Sequence, residues 1–449
     1  MKPETIARYG TRNIPRYTSY PTAPNFSAEV GETRYRDWLA GLSPDLELSL
    51  YLHVPFCRSM CWYCACHTTV TARLAPVGRY LEALSREIAL VADALPARMT
   101  VRHLHFGGGS PTLIPPASFT RLMALLRDRF TVAEDAEVAI EIDPRTVAQD
   151  MIAALAAAGV NRASIGVQCF DAQVQQAINR IQSFETTAQV VKQLRRAGIA
   201  SINFDLIYGL PKQTIAACID TVEKVLLLAP DRLAVFGYAH VPSFKLHQRK
   251  IDSALLPQSA TRWEQARAIG ETLTRAGYIE IGLDHYARPD DELARAAESG
   301  ALHRNFQGYT TDSCPALIGL GSSSIGRLPQ GYVQNVVLIS GYEQRVSEGR
   351  LPIVRGYAVS ADDRLRAAII ERLMCDHSVD LDAVCAEFGA DPTNLVRGAD
   401  LDGLLADGLI EREGMKIAVT PEARALVRIV AAAFDAHLPE SEARHARAV

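Results

Sequence analysis

Residues 48–66 read LSLYLHVPFCRSMCWYCAC, a stretch that predicts both where the fold begins and where its chemistry lies. Residues 48–54 are mainly apolar and predict a buried β-strand. The cysteines that follow within ten positions are Cys57, Cys61, Cys64 and Cys66. Pro55, directly after the strand, argues against a helix that would place the thiols on one face as packing residues. The clustered thiols therefore indicate a site.

Five further strand candidates follow along the chain, separated by segments with helical spacing. They are residues 102–106, 137–142, 162–167, 202–208 and 232–238. Strands that alternate with helices predict a parallel sheet with right-handed crossovers. The pattern alone leaves three forms open, which are a partial barrel, a complete barrel and an open doubly wound sheet.

Polar or glycine-rich groups stand at the carboxyl end of each strand candidate. In chain order they are His53 with Cys57, residues 107–111, Asp143, Gln168, residues 209–211 and His240. Loops converge at that end of a parallel sheet, and the sheet holds them rigid, so ligand sites gather there. We therefore expect these residues to line one site.

Composition excludes several classes of function. The 449 residues carry 47 Lys and Arg against 51 Asp and Glu, a formal charge of -4, so no overall basic field favours nucleic acid as a partner. No apolar run approaches the roughly 18 residues of a membrane span, and residues 1–16 lack the apolar core of a signal peptide. We expect a cytoplasmic protein, whose clustered thiols stay reduced and act as metal ligands or redox groups.

Two kinds of metal centre can use clustered cysteines. Structural zinc sites usually combine separated Cys-x-x-Cys pairs with two further ligands, and no second pair occurs in this sequence. Three soft thiolates in one short loop suit an iron–sulfur cluster better. A four-iron cluster held by three thiolates leaves one iron with an open site, which a small molecule can chelate.

The spacing of Cys57, Cys61 and Cys64 resembles the signature of the radical S-adenosylmethionine enzymes. The resemblance implies that these cysteines hold a 4Fe-4S cluster, that S-adenosylmethionine chelates the open iron, and that one electron from the cluster releases a 5'-deoxyadenosyl radical. It also implies a partial (β/α)6 TIM-like barrel. Coordination by Cys66 would close the open iron site, so we expect Cys66 to be a neighbour of the cluster and not a ligand.

Further segments resemble, in order, the motifs of the oxygen-independent coproporphyrinogen III oxidases. They are residues 15–22 (PRYTSYPT), 107–112 (GGGSPT), 141–144 (EIDP), 164–168 (SIGVQ), 203–211 (NFDLIYGLP) and 303–311 (HRNFQGYTT). The resemblance implies coproporphyrinogen III as substrate and oxidative decarboxylation of two of its propionates to vinyl groups, which gives protoporphyrinogen IX in haem biosynthesis. It also implies a low-potential electron donor such as flavodoxin or ferredoxin.

The same resemblance implies two S-adenosylmethionine sites. The matching positions of the site against the cluster are Tyr51, Gly108, Glu141 and Ile325. Those of the second site are Tyr63, Gly109, Ser110, Gln168, Arg180, Asp205 and Ala239. His53 is the candidate for contacting the substrate, with a hydrogen-bonded core histidine as the alternative. The scattered cysteines at positions 169, 218, 314, 375 and 385 are expected to be packing residues.

Three domains are expected. They are an extended N-terminal arm at residues 1–40, a radical S-adenosylmethionine catalytic domain at 41–357, and a small, mainly helical, winged-helix-like domain at 358–449. In the last, helices are predicted at 362–374, 381–388 and 394–405, before a hairpin formed by 409–413 and 416–419. No helix rich in Lys and Arg stands out, so a packing or lid role is favoured over DNA binding.

The alternative function is that of a related radical S-adenosylmethionine protein that delivers haem or opens the haem ring. Haem-delivery relatives typically lack the fourth cysteine and the N-terminal arm, and this sequence has both. We therefore expect the decarboxylating enzyme, acting as a monomer and without nucleic acid as a partner.

Overall fold

Strands and helices alternate along the part of the chain that the computed structural model describes, residues 3–10 and 12–438. The strands are β1 (Leu48–Val54), β2 (Phe56–Cys57), β3 (Thr69–Val70), β4 (Thr100–Gly108), β5 (Thr131–Ile142), β6 (Arg162–Gln168), β7 (Ser201–Tyr208), β8 (Arg232–Gly237), β9 (Ile279–Ile281), β10 (His285–Ala287), β11 (His303–Asn305), β12 (Gly308–Thr310), β13 (Ala316–Leu320), β14 (Ile325–Leu328), β15 (Gly331–Asn335), β16 (Ile353–Ala358), β17 (Ser378–Asp380), β18 (Ile410–Glu413) and β19 (Lys416–Val419).

The α-helices are α1 (Pro3–Gly10), α2 (Glu32–Ala40), α3 (Leu74–Ala94), α4 (Pro116–Arg129), α5 (Gln149–Ala157), α6 (Ala172–Ala177), α7 (Phe184–Arg196), α8 (Ile215–Leu227), α9 (Ser259–Arg275), α10 (Glu292–Ser299), α11 (Ile339–Ser347), α12 (Ala361–Asp376), α13 (Leu381–Phe388), α14 (Pro392–Gly398), α15 (Leu401–Ala406) and α16 (Val427–Ala432). Short 3-10 helices lie at Ala23–Asn25, Pro111–Leu113, Leu246–Lys250, Ser253–Leu255 and Pro421–Leu426. Residues 1, 2, 11 and 439–449, which belong to the predicted arm and C-terminal domain, lie outside the described residues.

A mixed sheet forms the centre of the fold, and its parallel part contains the six strands predicted between residues 48 and 238. β1, β4, β5, β6, β7 and β8 are parallel neighbours in that order. β13 adds a parallel strand on the other side of β1, where Leu50 pairs with Ile318. Antiparallel strands extend both ends, with β14, β15 and β16 beyond β13, and β10 and β9 beyond β8. From β1 to β8 the parallel strands keep their chain order, without the reversal of a doubly wound sheet, and among the described strands β8 and β13 do not pair, so the sheet is a partial barrel, as the resemblance implies.

The two faces of the sheet differ in character. Along β6, buried Ala163, Ile165 and Val167 alternate with half-buried Ser164 and Gln168. Successive side chains of a strand point to opposite faces, so the apolar set packs against the helices and the polar set lines the interior. The site is therefore built from the second set.

α3 illustrates how the covering helices form. Leu81, Leu84, Ile88 and Val91 recur at helical spacing and are buried in the core that α3 shares with the sheet. Burial of each such side chain contributes about 1.5–3 kcal/mol to stability. The spacing of these residues predicts a helix over residues 80–95, and the observed helix begins six residues earlier, at Leu74.

The C-terminal residues form a helical unit with a small sheet, as predicted. β18 and β19 are the predicted hairpin, and β17 pairs with β19 to give a three-stranded sheet of winged-helix type. The helix predicted at 394–405 is two helices, α14 and α15. The break follows from Asp400, whose carboxylate accepts the Gly403 N–H and so begins a new helix.

The N-terminal arm is irregular between residues 12 and 31 for most of its length, as its composition predicts. The helices α1 and α2 on either side were not predicted. Tyr9, Ile14, Tyr17 and Tyr20 are buried in one hydrophobic cluster with the helices of the C-terminal unit. Tyr35 and Leu39 of α2 are buried in the barrel core instead. The arm therefore contributes to both cores.

Bilayer crossing requires a helix of sufficient length and apolar character. None of the helices within residues 3–10 and 12–438 combines the length with the apolar character that crossing a bilayer requires.

Candidate active site

The cysteine loop lies at the carboxyl ends of the parallel strands, directly after β1. Cys57 ends β2, and its Sγ accepts hydrogen bonds from Thr68 Oγ1 at 3.2 Å and Ser110 Oγ at 3.6 Å. Cys61 Sγ accepts one from Arg180 Nη1 at 3.6 Å. Hydroxyl and guanidinium donors favour thiolates, which are the form that binds iron.

Cys64 carries a readily ionised thiol. A hydrogen bond with the Cys66 thiol is the main cause that lowers the Cys64 pKa to about 7, and the positive charges of Lys245 and Arg180 act in the same direction. Burial raises the pKa of Cys57, and the hydrogen bonds from Thr68 and Ser110 offset this rise only in part. Cys66 is exposed and adjoins Cys64, where the sequence places a neighbour of the cluster. Its non-ligand role stays a prediction.

The donor set of the loop fits an iron–sulfur cluster. Cys57, Cys61 and Cys64 offer three soft sulfur atoms from eight consecutive positions, and none of the three is in a disulfide. The five scattered cysteines are all buried, in accord with the packing role predicted for them.

Residues of the first predicted S-adenosylmethionine site lie together. Glu141 Oε2 accepts the Gly108 N–H at 2.9 Å. Burial would raise the pKa of Glu141, but hydrogen bonds from His105 and Gly108 outweigh burial and lower it. Gly108 has a φ of +110°, and a Cβ there would lie 2.5 Å from the His53 ring, so only glycine fits. Glu141 is therefore a charged acceptor at the strand ends.

Tyr51 and Ile325 adjoin this group from β1 and β14. Tyr51 pairs in register with Gly319 of β13, and the Ile325 carbonyl would lie 2.6 Å from a Cβ added to Gly319. Burial raises the pKa of the Tyr51 hydroxyl well above its ordinary value. Tyr51 is therefore a neutral phenol beside the loop.

His53 has protein partners on both ring nitrogens. Nε2 lies 2.9 Å from the His67 carbonyl oxygen and Nδ1 lies 3.0 Å from Tyr51 Oη. Burial lowers the pKa of His53, which keeps the ring neutral. The neutral tautomer that fits donates from Nε2 and accepts at Nδ1. These contacts favour the core-histidine alternative, and contact with substrate stays a prediction.

Residues of the second predicted site converge from four strands and the loop. A Cβ added to Gly166 would lie 2.8 Å from Gln168 Nε2 and 3.1 Å from Arg180 Nη2, so these two side chains meet there. Ser110 reaches Cys57, as described above. The backbone of Gly109 is held in place by its N–H, which donates to the Val54 carbonyl at 2.8 Å.

Tyr63 and Ala239 are joined by a residue that the sequence did not single out. Gln248 Nε2 donates to the Tyr63 carbonyl at 2.9 Å and to the Ala239 carbonyl at 3.3 Å. The same 3-10 helix supplies His247, whose Nε2 lies 2.7 Å from the Cys64 carbonyl. No motif near Gln248 marks it in the sequence, and its contact with the cysteine loop, through Tyr63, joins residues that lie 185 positions apart.

Asp205, on β7, completes the second group. Its carboxylate accepts hydrogen bonds from Ser164 Oγ at 3.0 Å and Asn203 Nδ2 at 2.9 Å. Burial, with the negative charge of Glu141, raises the Asp205 pKa to about 6 against these donors. A cationic or hydroxyl-bearing ligand would stabilise the carboxylate.

The contacts of Arg180 bear on whether the residues of the second predicted site fit S-adenosylmethionine. Its side chain is 7% exposed and lies 3.6 Å from Asp143, and its Nε is buried without a hydrogen-bond partner among the described residues. A buried unpaired donor is costly unless a ligand supplies an acceptor. The carboxylate of the methionine moiety is such an acceptor, so the residues present fit the cofactor.

Arg145 is a further residue of the site that the sequence did not single out. It pairs with Asp143 at 2.6 Å and donates from Nη2 to Cys61 Sγ at 3.5 Å. Asp143 was marked by its position at a strand end. The signal in the sequence that could have identified Arg145 is its position two residues after Asp143.

Known families and proteins resemble this chain over most of its length. A family model described as Radical SAM superfamily matches residues 51–225, and one described as HemN C-terminal domain matches residues 359–426. A curated protein of Bradyrhizobium diazoefficiens, named oxygen-independent coproporphyrinogen III oxidase, is 55% identical over 100% of both chains. A protein of the same name from Pseudomonas aeruginosa is 42% identical over 97% of this chain and 96% of its own.

One solved structure also resembles this chain along nearly its whole length. It is described as coproporphyrinogen III oxidase (HemN) from Escherichia coli, a radical SAM enzyme. It is 41% identical, and the match covers 94% of this chain and 98% of that one with a TM-score of 0.89. The likeness therefore includes the barrel and the C-terminal unit together.

Proposed function

The chain belongs to the oxygen-independent coproporphyrinogen III oxidase family of radical S-adenosylmethionine enzymes, and on that premise we propose how its residues carry the reaction. It is an oxidoreductase of porphyrin and haem biosynthesis. Its substrate is coproporphyrinogen III, and oxidative decarboxylation of two propionates to vinyl groups yields protoporphyrinogen IX. Relatives of full length bear this name, which favours the activity over haem delivery or haem-ring opening.

One observation carries the proposal. Ser110 lies beside Cys57 and Arg180 lies beside Cys61, in a chain that matches the Bradyrhizobium diazoefficiens relative over its whole length. Cys57, Cys61 and Cys64 hold a 4Fe-4S cluster, and Cys66 stays outside it. The chemistry that the bound cluster and S-adenosylmethionine supply is abstraction of a hydrogen atom from the substrate propionate.

The residues of the barrel bind and orient the cofactor. Against the cluster, Glu141 is kept ionised by its donors and so accepts from the ammonium of the methionine moiety. The other members of that site are Tyr51, Gly108 and Ile325. In a second site Arg180 binds a carboxylate and Asp205 accepts from ribose hydroxyls or an ammonium. The other members of the second site are Tyr63, Gly109, Ser110, Gln168 and Ala239.

The proposal for the cellular setting combines the composition of the chain with the family resemblance. The chain acts in the cytoplasm as a monomer, with flavodoxin or ferredoxin as electron donor and no nucleic acid partner. The arm at residues 1–40 and the domain at 358–449 flank the catalytic domain at 41–357. The proposal retains His53 as a contact of the substrate, although both of its ring nitrogens already have protein partners.

An anaerobic assay tests the proposed function. Reconstituted enzyme with dithionite or flavodoxin, S-adenosylmethionine and coproporphyrinogen III should form protoporphyrinogen IX and 5'-deoxyadenosine. Formation of 5'-deoxyadenosine without decarboxylation would refute the substrate and retain the radical chemistry.

A pair of cysteine variants tests the ligand assignment. Cys61→Ala should lose the cluster absorbance and all turnover, because a ligand is missing. Cys218→Ala, at a buried packing position in α8, should keep both. Full cluster content and turnover in Cys61→Ala would refute the assignment.

A further inference from the structure

The N-terminal arm is held on either side of Pro15 by two buried arginines from distant parts of the chain. Arg428, in α16, donates from Nη1 to the Ile14 carbonyl at 3.0 Å. Arg304, in β11, donates from Nε and Nη2 to the Arg16 carbonyl at 3.3 and 3.2 Å. The two arginines are 6% and 8% exposed. Charge-assisted bonds from buried donors fix the backbone of Arg16 in place.

The side chain of Arg16 is exposed at the carboxyl end of the sheet. Its Nη2 donates to the Gly237 carbonyl at 3.1 Å, where β8 ends, and its guanidinium lies 5.9 Å from the centre of the Phe236 ring. Among the described residues no carboxylate lies within 4.0 Å of this guanidinium. A guanidinium has five N–H donors, so Arg16 retains several for an anion.

Three arginines near the arm, Arg16, Arg304 and Arg428, interact with a single buried carboxylate, that of Asp284, so positive charge is in excess there. Arg304 Nη1 is buried and has no hydrogen-bond partner in the described part of the chain. Burial, with the charges of Arg16 and Arg304, lowers the pKa of Arg428 to about 10. Burial would raise the pKa of Asp284, but its hydrogen bond with His285 and the arginine charges lower it overall. A bound anion would relieve the repulsion between the guanidinium groups.

From this arrangement we infer that Arg16 binds a propionate carboxylate of coproporphyrinogen III at the mouth of the barrel, and that Arg304 is a positioning residue that holds Arg16 there. The inference rests on the proposed function and adds a substrate contact to it. A planar guanidinium binds a carboxylate through two parallel hydrogen bonds, so Arg16 orients the substrate as well as attracting it. Two of the four propionates survive the reaction, so a carboxylate bound by the arm need not be one that is lost.

Variants of Arg16 in the full-length reconstituted enzyme test its contact with the substrate propionate. Coproporphyrin III, the stable oxidised form of the substrate, is titrated by fluorescence, and KM and kcat are measured with coproporphyrinogen III. Arg16→Gln should weaken binding and raise KM by about 10- to 100-fold, the range for a lost charged hydrogen bond. Arg16→Lys should restore part of the affinity. Cluster content and S-adenosylmethionine affinity should stay unchanged.

A matched control separates this contact from general loss of an exposed arginine. Arg412, in the C-terminal hairpin, is also exposed and also donates to a backbone carbonyl, that of Gly414 at 2.9 Å. Arg412→Gln should bind coproporphyrin III as the wild type does. Unchanged affinity and KM in Arg16→Gln would overturn the inference. So would a loss confined to kcat, which is the result for an arm that only covers the site.

The positioning role has its own test. Arg304→Gln should weaken coproporphyrin III binding, and the double variant with Arg16→Gln should bind no more weakly than Arg16→Gln alone. Additive losses would overturn the positioning role. If the Arg304→Gln protein does not fold or does not hold the cluster, Arg304→Lys replaces it in the comparison of single and double variants. Failure of the proposed function is distinct, because the wild type itself would then neither bind nor decarboxylate the substrate.

Discussion

Asp205 bears a buried carboxyl group whose pKa of about 6 lies well above its ordinary value. Because the pKa of Asp205 is higher in the folded protein than in the unfolded chain, the protonated carboxyl group stabilises the fold at low pH. This stabilisation is lost as the pH rises through 6. At pH 7.5 the wild type is therefore destabilised by an ionised group that burial and Glu141 disfavour. Asp205→Asn should raise the unfolding free energy by about 1–3 kcal/mol at that pH, yet weaken S-adenosylmethionine binding about tenfold. Thermal unfolding and isothermal titration measure the two effects.

The opposed signs make this prediction specific. A variant that loses both stability and S-adenosylmethionine affinity would show that Asp205 is structural. Asp290, an exposed carboxylate, gives the control, since Asp290→Asn should change neither quantity.

Glu87 is a second buried carboxyl group with a raised pKa. It accepts hydrogen bonds from Gly321 N–H, Asn335 Nδ2 and Tyr342 Oη, at 2.7, 2.6 and 2.6 Å. Burial outweighs these donors and raises its pKa to about 7. Its stabilising contribution is complete below about pH 4.5 and is lost as pH rises through 7. The unfolding free energy should fall by about 3 kcal/mol across that window.

Glu87→Gln should remove this pH dependence, because an amide does not titrate. The difference in unfolding midpoint between the wild type and Glu87→Gln, followed from pH 5 to 8, measures it. Parallel curves for the two proteins would contradict the prediction.

At the level of single residues, the sequence predicts strand-end groups well and remote partners poorly. Glu141 and Gly108 stand at strand ends and meet there. Gln248 joins Tyr63 to Ala239 from a segment without a motif. Its role depends on a loop returning to the site, which no local pattern encodes.

At the level of elements, α3 supports the cysteine loop from behind β1. Tyr80 Oη donates to the His53 carbonyl at 2.6 Å and accepts the Ser322 N–H at 2.9 Å. Tyr80→Phe leaves both backbone groups buried without this partner, which should cost about 2–3 kcal/mol. The cluster should also be lost faster to a chelator, because the end of β1 is less firmly held. Absorbance decay in EDTA measures that rate.

Tyr278→Phe is the matched control for Tyr80→Phe. Tyr278 Oη donates to the Pro230 carbonyl at 2.5 Å, on a loop away from the cysteines. This variant should lose stability but keep the wild-type rate of cluster loss. Equal rates in the two variants would show that Tyr80 has no special hold on the loop.

Elements were predictable where the pattern was local. The six predicted strands all form and alternate with helices, and five of them have the predicted bounds to within two residues, whereas β5 begins six residues before its predicted start. β13 to β16 were not predicted, because they are short and their place depends on distant pairing, such as Leu48 with Ala316. The helix at 394–405 was predicted whole because its apolar spacing is continuous, and Asp400 divides it through a side-chain cap.

At the scale of the whole molecule, the arm and the C-terminal unit share one core. Phe434 is fully buried in the cluster that holds Tyr9 and Tyr17. Composition predicts the arm's irregular backbone but not this packing, because exposed arms and docked arms have the same Pro- and Tyr-rich character. The arm's order, and with it the position of Arg16, therefore depends on the C-terminal unit.

Hydrogen exchange of a cavity variant tests that dependence. Phe434→Ala should cost about 3–5 kcal/mol locally and increase amide exchange both in residues 12–22 and in the C-terminal unit, while β1 and β4–β8 stay protected. Phe119→Ala is the control of equal size, because Phe119 is fully buried against Phe106 in the barrel core. It should increase exchange in α4 and β4 and leave the arm as it was. Exchange that rises only in the C-terminal unit of Phe434→Ala would show that the order of the arm, and with it the position of Arg16, does not depend on the packing around Phe434.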